Sequence, residues 1–291
     1  MSDQFDAFLA SAWDEHADRP EAVADRLAAS LRLVQHPSQV PRYAALLTHV
    51  YGEHLGDWPG GVASLRSLGE LPAAGASADA ANAVARNIAA LRHVAGEPLD
   101  DAALAPDGRI AALATAASIC AGRQAHAQAL AAYARALRDA EAGLPAGSPA
   151  LRALAVGGNN LAAALEEKTD RDPHETAGMV EAARSALKYW TLAGTWLEVE
   201  RAEYRLARSL LEAGDAAAAI GAAQRCIDGC ARHDAPPFER FFGAAALALA
   251  QRAAGDRAAF EAARDSARAC FEQVPADEQP ACGADLQELA D

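Results

Sequence analysis

Three times in this chain a glycine followed by an aspartate interrupts a stretch of helical period: Gly56-Asp57, Gly214-Asp215 and Gly255-Asp256. Glycine enters the left-handed conformation that closes a helix without steric cost, and the aspartate beside it can cap the next helix through its side-chain oxygen. A chain punctuated in this way is committed to helices joined by tight turns, so consecutive helices pack as antiparallel pairs. The other breaks carry Pro, Gly or Asp: His36-Pro37-Ser38, Leu71-Pro72, Ala95-Gly96-Glu97-Pro98, Leu144-Pro145-Ala146-Gly147, Asp170-Arg171-Asp172-Pro173 and Ala235-Pro236-Pro237. Between breaks, apolar residues recur at three and four, and no stretch alternates polar and apolar long enough for a strand. The pattern predicts an all-α chain of roughly twelve to fourteen helices.

Composition agrees and excludes several function classes. Of the 291 residues, 80 are alanine and only 5% are aromatic, which does not suit an aromatic-rich β-sandwich. Lysine occurs only at Lys168 and Lys188 among 26 basic residues, a bias typical of GC-rich bacterial genomes and no sign of arginine chemistry. The formal net charge is −14, with no long basic tract, so general nucleic-acid binding is not expected. The acidic N-terminal residues do not resemble a signal peptide. The weakly polar runs Ile110–Gly122 and Phe241–Ala250 fall short of the ~18–20 residues that span a bilayer. Cys120, Cys226, Cys230, Cys270 and Cys282 are odd in number and form no paired, closely spaced framework, so they read as reduced intracellular thiols. Together these place the expected protein in the cytoplasm, away from membrane and nucleic acid.

The helical segments also repeat. One unit reads Tyr43-Ala-Ala-Leu-Leu, then Gly56-Asp57-Trp58, then Gly61-Val62-x-x-Leu65-x-x-Leu68. Another reads Tyr204-Arg-Leu206-Ala207-x-x-Leu210-Leu211, then Gly214-Asp215, then Ala219-Ile220-x-x-Ala223-x-x-Cys226-Ile227. A third runs from Phe241 through Leu247-Ala248 and Gly255-Asp256 to Ala259-Phe260-x-x-Ala263. Ala129-Leu130-x-x-Tyr133-x-x-Ala136-Leu137 and Asn160-Leu161-Ala162 supply parts of further units. These motifs resemble the tetratricopeptide repeat over about residues 41–273, in five units. The resemblance implies a right-handed α-α superhelical solenoid of antiparallel hairpins with a concave surface lined by first helices. Gly214 to Gly255 is 41 residues and Thr169 to Gly214 is 45, longer than the family's usual repeat and similar to the lengthened versions of bacterial regulators and motor adaptors. Small residues at Ala129, Ala136, Ala219 and Ala223 fall where helices cross. Residues 1–40 are expected to form a helical pair on the solenoid, with Phe5, Phe8, Leu9 and Trp13 on one apolar face, and residues 274–291 a polar tail or capping helix.

In the family, positions 2, 5, 6 and 9 of a first helix face the groove. Alignment on Gly214 assigns Arg201, Tyr204, Arg205 and Arg208 to them, Val156, Asn159, Asn160 and Ala163 in the preceding unit, and Phe242, Ala245, Ala246 and Leu249 in the following one. The expected peptide-binding groove is thus Asn159, Asn160, Arg201, Tyr204, Arg205, Arg208 and Phe242. Asn160, Arg201 and Arg205 resemble the carboxylate clamp of chaperone-binding members, although Ala114 and Ser118 occupy the positions of that clamp's first helix. The alternative is internal pairing, Glu198 with Arg201 and Glu212 with Arg208, or acidic neighbours from the next hairpin.

Three other patterns could carry chemistry. His49-x4-His54 with Glu53 has the wrong spacing for a zinc helix, since five residues put the imidazoles about 140° apart on an α-helix, and no third ligand is apparent in sequence. Cys226, Cys230 and His233 could present three metal ligands along one stripe, but Cys226 occupies a packing position and His233 the last helical turn. Gly157-Gly158-Asn159-Asn160 follows no strand and is not a phosphate loop. No catalytic residue, cofactor or metal is therefore expected. The chain reads as a non-enzymatic module that binds a protein or peptide, through an acidic or C-terminal segment, and an exposed end hairpin offers a surface for homodimerisation. The alternative is a ligand- or peptide-sensing regulator acting through a separate output partner.

Overall fold

The computed structural model describes residues 2–99 and 104–290, all in helices, turns and loops with no strand among them. The chain divides into two compact units, 1–157 and 158–291. In the first are α1 (Ser2–Glu15), α2 (Pro20–Ala29), α3 (Val40–His49), α4 (Trp58–Gly69), α5 (Pro72–Gly75), α6 (Ala78–Val94), α7 (Pro106–Gly122) and α8 (His126–Asp139). Helix α9 (Pro149–Glu166) contains the boundary. The second unit continues with α10 (Pro173–Ala193), α11 (Trp196–Glu212), α12 (Ala216–Arg232), α13 (Pro237–Ala253), α14 (Arg257–Phe271) and α15 (Gly283–Glu288).

The Gly-Asp pairs act as the sequence implies. Gly214 and Gly255 both have φ of +79°. After α11, the Gly214 amide donates to Leu211 and the Asp215 amide to Leu210, each at 2.9 Å, the double closure of a Schellman turn. Asp215 then accepts from the Ala218 amide at 3.0 Å, and Asp256 from the Ala259 amide at 3.0 Å. Each such cap is worth about 1 kcal/mol. The same paired closure follows α7 at Gln124 (φ +59°), and α12 closes at Asp234 (φ +47°) with the Ala235 amide donating to the Cys230 carbonyl at 2.9 Å; no glycine announces either turn.

Consecutive helices pack side by side, α7 with α8, α10 with α11, α11 with α12, α12 with α13 and α13 with α14. Ala129, Ala136, Ala219 and Ala223 are fully buried at these crossings. In the first unit Phe5, Leu9, Val23, Leu27, Tyr43, Leu46, Leu47, Leu65 and Leu91 share one core. The Tyr43 hydroxyl donates to the Leu27 carbonyl at 2.5 Å, tying α3 to α2. Phe5 and Leu9 are inside as expected, whereas Trp13 is 38% exposed. Helix α3 does not stop at His49 but runs into a π-helical turn, Val50–Leu55, closed by Gly56 at φ +65°.

Gly157-Gly158-Asn159-Asn160 lies inside α9. A Cβ on Gly157 would stand 2.6 Å from the Ala114 carbonyl oxygen of α7, so the absence of a side chain sets how closely these helices approach. Gly221 in α12, by contrast, has only the Arg225 guanidinium near its Cβ position, at 3.6 Å. Gly157→Ala should therefore destabilise the protein by about 1–3 kcal/mol despite its better helix propensity, and Gly221→Ala should stabilise it by about 0.5–1 kcal/mol. Denaturant melts of both variants check this; equal effects of the same sign would contradict it.

Candidate functional site

Charge concentrates on α11. The helix starts from Thr195, whose amide donates to Glu198 Oε2 at 2.7 Å while the Leu197 amide donates back to its hydroxyl at 3.3 Å. Arg201, Tyr204, Arg205 and Arg208 then follow at spacings of three and four, which gives one stripe. Each meets a carboxylate brought by another element. Arg201 donates from Nε to Glu239 Oε2 of α13 at 3.1 Å and from Nη2 to the other oxygen. Arg205 pairs with Glu166 at the end of α9, which also accepts from the Ser209 hydroxyl. Arg208 donates two hydrogen bonds, at 2.9 and 2.8 Å, to Glu288 of α15, and Asp285 lies 3.8 Å away. The Tyr204 hydroxyl donates to Asp285 Oδ1 at 2.7 Å.

These are not the pairs read along the helix. Glu198 is held in the cap of Thr195 and adds its charge beside Arg201, and Glu212 pairs with Arg171 of the α9–α10 loop. The physical reason is burial: Glu239 and Glu166 are almost wholly inside and need a cation, whereas a surface pair one turn apart gains little. Burial alone would lower the Arg208 pKa, but the Glu288 hydrogen bonds and the Asp285 charge more than offset it and raise the value. Burial, followed by the Asp285 charge, raises the Tyr204 hydroxyl.

The C-terminal segment therefore lies on the stripe as a docked helix. Cys282 and Leu289 are buried in one apolar cluster with Phe241, Ala245 and Leu249 of α13, and Phe242 packs against that cluster. Arg252 donates to the Glu288 carbonyl at 2.8 Å. Phe242 meets the Tyr204 ring edge-on at 5.3 Å. Ala245, Ala246 and Leu249, aligned as groove positions, are buried. Asn159 and Asn160 are half-buried on α9, with Asn159 Nδ2 donating to Asn160 Oδ1 at 3.4 Å.

On another side of α11, Glu200 is buried against α12. The Cys226 thiol donates to Glu200 Oε1 at 2.7 Å and Cys230 Sγ lies 3.5 Å from the same oxygen. Glu200 Oε2 has no partner among the described residues. Burial pushes the Glu200 carboxyl up to about 7, against the Cys226 hydrogen bond and with the help of the Glu239 charge. The Cys226 thiol is raised by its hydrogen bond with Cys230, burial and the Glu200 charge, which disfavours the thiolate that a metal would need. His233 is not part of this group; it stacks on Trp196 at 4.7 Å. Beside them a cleft of about 480 Å³ is lined by residues including Trp196, Glu200, Arg225, Arg232 and His233.

In the first unit the structure corrects the reading of His49 and His54. The i→i+5 bonding of the π-helical turn stacks side chains five residues apart, so the rings are not 140° apart. Their Nε2 atoms are 3.1 Å from each other. His16, beyond the end of α1, brings a third imidazole, with ring centroids 4.8 Å from His49 and 4.9 Å from His54. Burial, then the charges of His49 and His16, lowers the His54 pKa.

No family model matches the chain, and no curated protein matches it. Solved structures do. BtubC (BKLC) from P. vanneervenii superposes with a TM-score of 0.54 at 18% identity, covering 87% of this chain and 90% of that one. The nearly identical TPR-like repeats of a provisionally described kinesin light chain from Podosopora anserina superpose with a TM-score of 0.50 at 15% identity, covering 81% and 96%. A variant form of those repeats gives the same values. The chain thus has the all-α, tetratricopeptide-like fold of these repeat proteins.

The buried Glu200 makes stability depend on pH. Its folded carboxyl holds a proton more tightly than the ordinary value of 4.5, so this group's contribution is fully present below about pH 4.5 and is lost as pH rises to about 7. The loss is on the order of 3 kcal/mol. Glu200→Gln should flatten the stability profile across that window and stabilise the protein at pH 8. Denaturant unfolding at pH 5, 6, 7 and 8 measures it; parallel profiles for the two proteins would contradict the assignment.

Proposed function

We propose that this chain is a protein-interaction module whose α11–α13 face takes an acidic helical or C-terminal segment of a partner. The observation that carries the reading is the chain's own acidic helix: α15 sits on Tyr204 and Arg208 through the hydrogen bonds a partner's carboxylates would make, and Arg252 holds its Glu288 backbone carbonyl. Bidentate guanidinium–carboxylate bonds supply orientation, and burial beside Tyr204 and Phe242 supplies affinity. Arg201, whose side chain is 57% exposed, and Arg205 continue the stripe beyond α15, each already held by a buried glutamate, toward Asn159 and Asn160 as the tetratricopeptide alignment orders them. A partner segment competes with α15 for Arg208 and Tyr204. The chemistry needs no bond-making residue, which fits an interaction role and not an enzyme. The five free thiols fit a cytoplasmic setting, and no helix among the described residues is long and apolar enough to cross a membrane.

A second reading, ligand sensing, is favoured by the cleft beside the stacked rings of Trp196 and His233, whose rim carries Arg232, Asp228 and the Arg225–Glu203 pair. Native mass spectrometry of the purified protein distinguishes the two: a retained small molecule supports sensing.

The main reading is tested with a labelled peptide of residues 275–290 offered in trans to the Asp285→Asn, Glu288→Gln chain, whose own helix is weakened. Fluorescence anisotropy should show saturable binding, and adding Arg208→Glu should weaken it at least about 10-fold, as loss of a charge-assisted bidentate pair requires. Binding unaffected by Arg208→Glu would overturn the assignment.

A further inference from the structure

The three histidines of the first unit form a set that the interaction surface does not use. His16 follows α1, His49 ends α3 and His54 lies in the π-helical turn, so three separate pieces of backbone converge on one spot. One ring nitrogen of each lies within 4.8 Å of the corresponding nitrogens of the other two. All three side chains are half-buried, reachable from solvent but not fully hydrated.

Two of the rings are already oriented by groups behind them. His16 Nδ1 meets the Trp13 carbonyl oxygen, an acceptor, so the proton sits on Nδ1 and the lone pair on Nε2. His49 Nδ1 lies 3.1 Å from Glu53 Oε1. Glu53 is itself fixed, since the Ser118 hydroxyl donates to its Oε1 at 3.1 Å and Arg123 donates to its backbone carbonyl at 3.1 Å. A carboxylate behind a histidine's Nδ1 is the arrangement that sets the tautomer and raises the basicity of a metal-binding Nε2. His49 Nε2 then faces His54 Nε2 at 3.1 Å. Two nitrogens each about 2.0–2.1 Å from one tetrahedral ion stand about 3.3 Å apart, so the pair already has nearly the spacing of adjacent ligands. His16 places the third nitrogen within 4.8 Å of both.

We infer that His16, His49 and His54 form a site for a divalent transition-metal ion of the zinc class, with Glu53 holding His49 in register and a fourth position left to water. Imidazole donors select this class over calcium or magnesium. A π-helical turn is what makes the site possible, because an α-helical continuation would turn His54 away from His49. Trp13, whose ring is 5.0 Å from His16 and 5.2 Å from His49, is a built-in reporter.

The test uses the full chain, stripped of metal by chelation and titrated with Co²⁺, then with competing Zn²⁺. The expected result is one equivalent bound, with the visible absorption of a nitrogen–oxygen cobalt site and no thiolate-to-cobalt charge-transfer band. His16→Ala and His54→Ala should each weaken binding by at least about 100-fold, and Glu53→Gln by about 10-fold. Ni²⁺ or Cu²⁺ should quench tryptophan fluorescence in the parent chain and far less in Trp13→Phe. His16 is half-exposed and outside any helix, so its replacement leaves the fold intact, which circular dichroism verifies. Absence of stoichiometric binding overturns the site. So does undiminished binding in His16→Ala with unchanged helicity, or a charge-transfer band that assigns the ion to Cys226 and Cys230.

Discussion

A carboxylate taken out of water must find a cation or keep a proton, and α11 is built around that requirement. Glu166, Glu203 and Glu239 are largely buried, and each is met by an arginine: Arg205, Arg225 and Arg201 respectively. Glu200, buried on the same helix beside two thiols and the Glu239 charge, is the one pushed toward the protonated form. Arg208 applies the rule in reverse, as a nearly buried cation that draws Glu288 and Asp285 of the C-terminal segment onto the helix. A guanidinium left alone there would be costly, and Asp285 and Glu288 answer it by seating α15 against α11 and α13.

Small residues supply the other constraint. With alanine at the crossings and glycine at Gly157, helix axes approach closely, and the turns between them are short enough to keep neighbours antiparallel. Much of this was legible in the sequence. The Gly214-Asp215 and Gly255-Asp256 pairs announce both the end of one helix and the cap of the next, because glycine and aspartate are the residues those positions favour. Gln124 carries the same closure without the glycine, so the α7–α8 turn left no mark that spacing alone could find. The π-helical turn is equally silent, since its residues Val50–Leu55 fit an α-helical period as well.

The site was legible in outline. Spacing alone put Arg201, Tyr204, Arg205 and Arg208 on one face, because helical period fixes which side chains share a stripe. Their partners were not legible, since Glu239, Glu166 and Glu288 lie 38, 39 and 80 residues away in sequence and only the packing of α9, α13 and α15 brings them in. Local pairs such as Glu198 with Arg201 looked equally good on the chain, and burial decided against them. His16 was missed for the same reason: nothing near His49 or His54 in sequence points to the end of α1.

On the proposed function, the α11 stripe recognises carboxylates of an acidic helix, and α15 is its resident example. A double-mutant cycle on Arg208→Ala and Glu288→Ala, read by denaturant unfolding, tests this most directly. The two charge-assisted hydrogen bonds between these side chains call for a coupling of about 1 kcal/mol or more. Additive single effects, with a coupling within about 0.3 kcal/mol of zero, would mean that α15 is held by its apolar contacts alone and that the stripe does not read carboxylates.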